Sequence, residues 1–210
     1  MFLSHNKCMF FIYSKFKQNK WIKYNPEKRH KILQALENKL AKEENRTPLD
    51  VVVHENSTWN CYGMFIARGE EKKIYIHENL LLDPRMRFHA LETIIHEGRH
   101  AHQYEKVNGG KLKWYEFTAK RWRDNWKGYF SSTEDTTMYN NQEIERDAQL
   151  FTIKKLKKLA RKYRGDRDFA YTLNANIRRY EYADEQARRQ YGMFYKHKIH
   201  KRVKDKSMYE

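Results

Sequence analysis

Two histidines four residues apart, with a glutamate directly after the first, are the residues of this chain best suited to chemistry. They lie in the segment HEGRH, His96 to His100, which matches the pattern H-E-x-x-H. On a helix, residues i and i+4 project side by side, so two imidazoles can hold one Zn²⁺ while the glutamate reaches a metal-bound water. The spacing therefore predicts a zinc site with His96 and His100 as ligands and Glu97 beside the metal.

The residues around this motif predict a helix with one packed face and one open face. At about 100° per residue, the apolar side of the helix consists of Ala90, Leu91, Ile94, Gly98 and Ala101. His96 and His100 fall nearly opposite, about 40° from each other. Gly98 lies in the packed stripe, where the missing side chain lets a neighbour approach closely. A histidine pair on a solvated face has the same geometry, so the metal hypothesis requires a third ligand.

Several residues are candidates for that third ligand: His54, His77, His102 and a downstream carboxylate. His102 points about 200° away from His100 and cannot join it on the same metal. In a helix predicted over Asn141–Tyr163, Glu145 lies on the apolar side, whereas Glu143 and Asp147 point away. A carboxylate among buried residues needs a partner, which is either a metal ion or the cation of an Arg or Lys. We expect the metal, with Glu145 as the third ligand.

The rest of the pattern predicts an α+β fold in which a small three-stranded sheet packs on the motif helix. The expected elements are a helix over Glu27–Glu44, strands over Val51–His54, Asn60–Ala67 and Lys72–Leu82, the motif helix from Asp83-Pro84 to Asn108-Gly109-Gly110, and helices over Asn141–Tyr163 and Asp168–Tyr191. Arg68-Gly69-Glu70-Glu71 predicts a hairpin turn between the last two strands. We expect a metallopeptidase domain over residues 1–163 and a basic helical extension over residues 164–210 packed on it.

The HEGRH motif, the preceding strand KKIYIHENLL and the later E-x-x-A segment Glu145–Ala148 together resemble minimal gluzincin metallopeptidases, nearest to the ImmA/IrrE-like bacterial and phage proteins. The resemblance covers about residues 30–158 in the order of elements. It implies zinc held by His96, His100 and Glu145, Glu97 as general base, and the strand around Ile74–Ile76 as an edge that pairs with an extended peptide. The long Lys111–Tyr139 insertion departs from the family pattern, and no helix-turn-helix partner domain is recognised.

The expected activity is hydrolysis of peptide bonds by a zinc-activated water, with Glu97 taking the water proton and passing it to the leaving amine. An additional hydrogen-bond donor to the carbonyl oxygen is expected from Tyr139, Arg99 or the insertion. Ligand type favours zinc over manganese or cobalt. The insertion also carries several tryptophans and other aromatics. We expect them to pack near the cleft, because Trp122, Trp126 and Phe130 are spaced by four, with single-stranded nucleic acid as the alternative partner.

Charge and composition limit the remaining classes of function. Residues 151–210 hold 18 Lys and Arg against 7 Asp and Glu, so +11 of the net charge of +16 lies there. This charge is typical of chains with a nucleic-acid or acidic partner, which would be additional to the protein or peptide substrate. The alternative function is therefore nucleic-acid binding, or a DNA-associated SprT-like protease. The sequence has two cysteines, and we recognise in it neither an apolar run of membrane-spanning length nor a secretory signal. These features predict a cytoplasmic protein without a membrane partner.

Overall fold

The computed structural model describes residues 11–55, 61–110, 113, 116–131, 134 and 136–191. Their α-helices are α1 (Gln18–Trp21), α2 (Pro26–Glu44), α3 (Asn79–Leu82), α4 (Arg87–Asn108), α5 (Phe117–Lys127), α6 (Thr136–Asn141), α7 (Glu143–Lys162) and α8 (Arg167–Tyr191). Their strands are β1 (Asp50–His54), β2 (Gly63–Arg68) and β3 (Glu71–His77). Single 3-10 turns lie at Tyr13–Phe16 and Pro84–Met86. The predicted α+β class is confirmed.

Side-chain caps stand at the starts of two helical segments. The Asn25 side chain accepts the backbone N–H of Lys28 at 2.8 Å, and Pro26 opens α2. The Asp83 side chain accepts the N–H of Arg85 at 2.8 Å, and the 3-10 turn that begins at Pro84 leads into α4. These local hydrogen bonds fix where the two longest helices before the insertion begin.

The sheet has the strand order β1-β3-β2, with β1 parallel and β2 antiparallel to β3. The β2–β3 hairpin is confirmed, and its turn contains Gly69 at a φ of +58°, a conformation that favours glycine. The expectation that the strand around Ile74–Ile76 forms an edge is wrong, because β3 is the central strand. Ile74 and Ile76 are both fully buried, and the strand with the most buried apolar side chains takes the position covered from both sides. The edge next to α4 is β2.

The strand predicted over Lys72–Leu82 is too long. β3 ends at His77, whose Nδ1 accepts the N–H of Asn79 at 3.1 Å and so starts the short helix α3. Leu80 and Leu81 still enter the core, now from a helix. A local side-chain cap ended the strand where apolar content alone predicted that it would continue.

One main core joins the sheet to α2, α4, α7 and α8. Its fully buried members include Leu33, Leu36, Ile74, Leu91, Ile94, Leu156 and Leu173. From α8, Phe169 and Ile177 also belong to this cluster. None of the described helices is long and apolar enough to cross a membrane.

A second, smaller cluster holds the insertion against the other helices. It contains Ala119, Trp122 and Ile144, with Trp126 and Tyr129 packed at its border. The expected packing of the aromatic insertion is thus confirmed for Trp122 and Trp126, whereas Trp114 lies outside the described residues. α5 therefore serves to support the residues around α4 and the start of α7.

Candidate metal centre

The helix α4 presents the motif histidines, and the first turn of α7 faces them. The Nε2 atoms of His96 and His100 are 3.0 Å apart. Glu145 Oε2 lies 3.2 Å from His96 Nε2, and Glu145 Oε1 lies 3.3 Å from His100 Nε2. One ligand atom from each of these residues lies within 4.8 Å of the others, a spacing compatible with one metal ion. The structure therefore brings together the three residues predicted as ligands, although His96 and Glu145 are 49 positions apart in the sequence.

The hydrogen bond on the far side of His100 decides how its ring is oriented. Gln103 Nε2 donates to the Ile144 carbonyl at 2.9 Å and to Asp147 Oδ2 at 2.8 Å. The amide oxygen of Gln103 must then face His100 Nδ1, 2.9 Å away, and that nitrogen must carry a proton. His100 Nε2 is left directed at His96 and Glu145, which is the arrangement that a metal-ligating histidine requires.

Glu145 is a buried carboxylate with a partner for each oxygen. Tyr129 Oη donates to its Oε1 at 2.8 Å, and the Tyr139 hydroxyl also hydrogen bonds to it. Burial raises the pKa of Glu145, but the neighbouring charges and hydrogen bonds of His100 and His96 outweigh it and hold that pKa well below its ordinary value. The carboxylate is therefore ionised and available as a ligand.

The alternative considered for Glu145 is an ion pair with an Arg or Lys. In the structure, Asp147 makes such a pair instead of Glu145. Arg99 Nε lies 2.7 Å from Asp147 Oδ2, and Arg99 Nη1 lies 2.7 Å from Glu44 Oε1. Asp147 points away from the histidines, as the helical projection predicts. Arg99, the cation within the motif, is thus neutralised on the other side of α4, and the partners of Glu145 are histidines and tyrosines.

The pKa of His100 is set by the charged groups that surround its ring. Burial lowers its pKa, but the Glu145 carboxylate, together with Glu97 and Gln103, raises it to about 9. A proton on Nε2 then lies between His96 Nε2 and Glu145 Oε1. Two imidazoles and an ionised carboxylate that converge on a shared proton form the nitrogen and oxygen donor set that zinc prefers, so these residues fit that ion.

Glu97 lies beside this group on the β2 side of the helix. Glu97 is 8% exposed, and its Oε2 accepts the backbone N–H of Phe65 at 2.8 Å. Gly63 makes the approach of β2 possible, since a Cβ there would lie 2.3 Å from Thr93 Cγ2 and 3.4 Å from Glu97 Cγ. The strand edge therefore orients one oxygen of Glu97 and leaves Oε1 as its second acceptor.

Gly98 has the role predicted for it on the packed face of α4. A Cβ at this position would lie 2.8 Å from Arg46 Nη2 and 3.1 Å from Glu37 Oε2. Arg46 and Glu37 form a buried ion pair, with Nη2 and Oε2 2.8 Å apart. Close approach of this pair ties α4 to α2 directly behind the histidines.

The three other histidines considered as ligands lie elsewhere. His77 Nδ1 caps α3, and the His54 ring contacts Tyr75 at a centroid distance of 6.4 Å. The His102 ring packs edge-on against Trp122, and burial and Arg99 lower its pKa to about 4. A neutral imidazole against an indole is a packing residue. Cys61 is free, and Cys8 lies outside the described residues.

A cleft of about 230 Å³ gives access to two of the three candidate ligands, His96 and Glu145, while His100 lies behind them and is buried. Besides His96, Glu97 and Glu145, it is lined by Gly63 and Tyr139. Of the donors expected for a carbonyl oxygen, Tyr139 lies in this cleft, whereas Arg99 is engaged by Asp147 and Glu44. Burial and the Glu145 charge raise the pKa of Tyr139 above its ordinary range, so its hydroxyl stays protonated and can donate.

Sequence reasoning missed Gln103 and Tyr129. Gln103 is three residues after His100, and this i to i+3 spacing is a signal that could have nominated it. Tyr129 lies in the insertion, 16 positions before Glu145, and nothing local connects the two. Comparison of the chain with protein-family models, curated proteins and solved structures returns no significant match.

Proposed function

We propose that this chain is a zinc-dependent metallopeptidase of the gluzincin type, with His96, His100 and Glu145 as the zinc ligands. One observation carries the proposal: ligand atoms of these three residues lie within 4.8 Å of one another, and two of them, His96 and Glu145, line a cleft together with Glu97. The order of elements supports it, since a hairpin, the H-E-x-x-H helix and the E-x-x-A helix follow in the order of that family.

Three protein ligands with solvent access are typical of a catalytic rather than a structural zinc. His96 is the accessible ligand, with 21% of its side chain exposed. When bound, zinc supplies a Lewis acid that lowers the pKa of water and polarises a carbonyl. The chain itself must then hold the ligands, move a proton and bind the peptide.

Glu97 is the residue proposed to move the proton. The Phe65 N–H holds its Oε2 at 2.8 Å, so the carboxylate has a fixed orientation, and Oε1 accepts the proton of the attacking water and later delivers it to the leaving amine. Tyr139 is the proposed donor to the carbonyl oxygen of the scissile bond. It would exchange its hydrogen bond to Glu145 for one to the substrate.

The edge of β2 favours an extended peptide as the substrate. His77 N–H donates to the carbonyl of Tyr62, the residue before β2, at 2.9 Å, so Gly63, the first residue of β2, directs its backbone groups away from β3. Gly63 also lines the cleft. A peptide that adds to this edge as a further strand would run past the metal centre with its backbone hydrogen bonded.

Glu97→Gln tests the mechanism, with His96→Ala beside it. Zinc content and hydrolysis of an unfolded protein substrate are measured on the zinc-loaded chain. Glu97→Gln should keep about one zinc per chain and lose turnover, since the amide cannot accept the proton. His96→Ala should lose both. Full hydrolysis by Glu97→Gln would show that Glu97 is not the base. Tightly held zinc without hydrolysis of any unfolded protein or peptide would assign the metal a structural role.

A further inference from the structure

A groove between the C-terminal half of α7 and the start of α8 carries a concentration of positive charge. It is lined by Lys157, Ala160, Arg161, Arg164 and Asn174, has a volume of about 630 Å³, and is called the basic groove below. Residues 154–165 contain seven Lys and Arg and no Asp or Glu. None of the residues that line the basic groove lines the cleft of the metal centre.

Lys155 and Lys157 pair with Glu43 and Glu181, but the charges along this part of α7 are still close enough to repel one another. Desolvation and the neighbouring charge of Lys158 lower the pKa of Lys162. On α2, burial lowers the pKa of Lys39, the Glu43 carboxylate opposes this, and Lys155 and Lys158 lower it further. Mutual repulsion of this kind produces a positive potential that an anion relieves.

The adjacent face of α8 presents two exposed tyrosines. Tyr171 and Tyr182 are 70% and 65% exposed. They are about three helical turns apart and so lie on one side of the helix, about 16 Å from each other. Asn174 and Arg178 are exposed between them on the same side. Large aromatic side chains among cations on an open face are typical of surfaces on which bases stack.

A simpler explanation accounts for only part of this pattern. Basic side chains in the last turn of a helix interact favourably with the helix dipole, and Arg161 and Lys162 occupy that position on α7. The dipole does not explain the earlier lysines of α7 or the tyrosines of α8. A membrane partner would favour apolar residues between the tyrosines, where this helix has Asn174 and Arg178.

We infer that the basic groove and the tyrosine face of α8 bind single-stranded nucleic acid. Arg161, Arg164 and Arg178 contact phosphates, and Tyr171 and Tyr182 stack on unpaired bases. A duplex fits less well, because its bases are already stacked on each other. This surface is independent of the proposed peptidase activity and would place such an activity next to bound nucleic acid.

The test measures binding of the full chain to a fluorescent oligothymidylate of about 20 nucleotides, by anisotropy, over a range of salt concentrations. Tyr171→Ala/Tyr182→Ala should weaken binding by about tenfold or more at fixed salt, with the salt slope unchanged. Arg161→Gln/Arg164→Gln should reduce the slope of log K against log salt by about 1.4, because two phosphate contacts are lost.

Matched variants separate this surface from general charge. Phe117→Ala removes an aromatic that is 64% exposed on α5, and Arg68→Gln/Arg123→Gln removes two exposed arginines outside the groove. Both should bind like the wild type. All variants should retain the zinc content of the wild type, so failure here is distinct from failure of the metal centre.

Three outcomes would overturn the inference. The first is equal losses in the groove and control arginine pairs, which would reduce the effect to net charge. The second is binding that is unaffected by loss of the tyrosines, or that is as tight to a duplex of the same length. The third is binding to vesicles of anionic phospholipid with none to the oligothymidylate or to oligouridylate, which would assign the surface to a membrane.

Discussion

The two ends of α7 carry opposite charges and keep them in opposite environments. At the first turn, Glu145 is 5% exposed, and both of its oxygens face a histidine. At the other end, an open groove is lined by Lys157, Arg161 and Arg164, the last of which follows the end of α7. Residues 154–165 contain no Asp or Glu, and Lys157 pairs with Glu181 of α8. The helix dipole favours this order of signs, but it does not bury one end and expose the other.

The difference follows from what each charge loses on leaving water. A buried carboxylate is tolerated only where partners replace its hydration, so its position is fixed and a single substitution should have a large effect. Exposed cations keep their water, and each contributes little alone. The acidic end of α7 should therefore behave as a defined site, and the basic end as a sum of weak, salt-dependent contributions.

Loss of Glu145 gives the sharpest test of the acidic end. Glu145→Ala should reduce bound zinc from about one per chain to near zero after purification without added metal, because two histidines alone do not complete the site. Metal analysis by mass spectrometry measures this. His102→Ala is the matched control: it removes a histidine from the same helix that packs on Trp122, and it should keep the metal. Equal zinc loss in both variants would show that the effect is not specific to the ligand set.

The Glu37–Arg46 ion pair behind α4 is a second buried charge, and its glutamate lies on α2. Among the described residues, Arg46→Ala leaves the fully buried Glu37 with the Leu49 N–H at 3.1 Å as its remaining hydrogen-bond donor, and should lower the free energy of unfolding by about 3–5 kcal/mol. Denaturant unfolding in the presence of a chelator measures the difference without a metal contribution. Lys31→Ala breaks an exposed pair on the same helix and should cause no measurable change. A small loss in Arg46→Ala would indicate that water replaces the guanidinium.

Replacement of Gln103 tests whether its hydrogen bond to His100 Nδ1 holds the imidazole ring in place. Gln103→Leu removes the acceptor of His100 Nδ1–H and should weaken zinc binding by about 10- to 100-fold without abolishing it. Competition with a chromophoric chelator gives the affinity. An affinity equal to that of the wild type would mean that the packing of α4 alone orients the ring. Melting of the metal-free variant separates this effect from a general loss of folding.

The smallest effect is expected at the basic end. Desolvation and the charge of Lys158 lower the pKa of Lys162; Lys158→Gln removes that charge and should raise the melting temperature slightly at low salt. The difference should disappear near 1 M salt, where the Debye length is about 3 Å. A salt-independent change would point to packing of the lysine stem instead of charge. Scanning calorimetry at two salt concentrations makes the comparison.

The sequence by itself determined the features that arise within a few residues of backbone. Asn25-Pro26 and Asp83-Pro84 set helix starts, Gly69 set the hairpin, and the spacing of His96 and His100 put both on one face. The apolar pattern also distinguished Glu145 from Asp147 on α7. Each of these depends on helix periodicity or on a local hydrogen bond, which neighbouring residues supply.

Only the tertiary structure decided which distant elements meet. It made β3 the central strand and β2 the edge, because β1 pairs in parallel from a segment more than 20 residues away. It also placed Tyr129 on Glu145 and the Glu37–Arg46 pair against Gly98. These contacts form when several elements are buried together and their polar groups must find partners away from water. No pattern within one element specifies those partners, since they are chosen by the packing of the whole core.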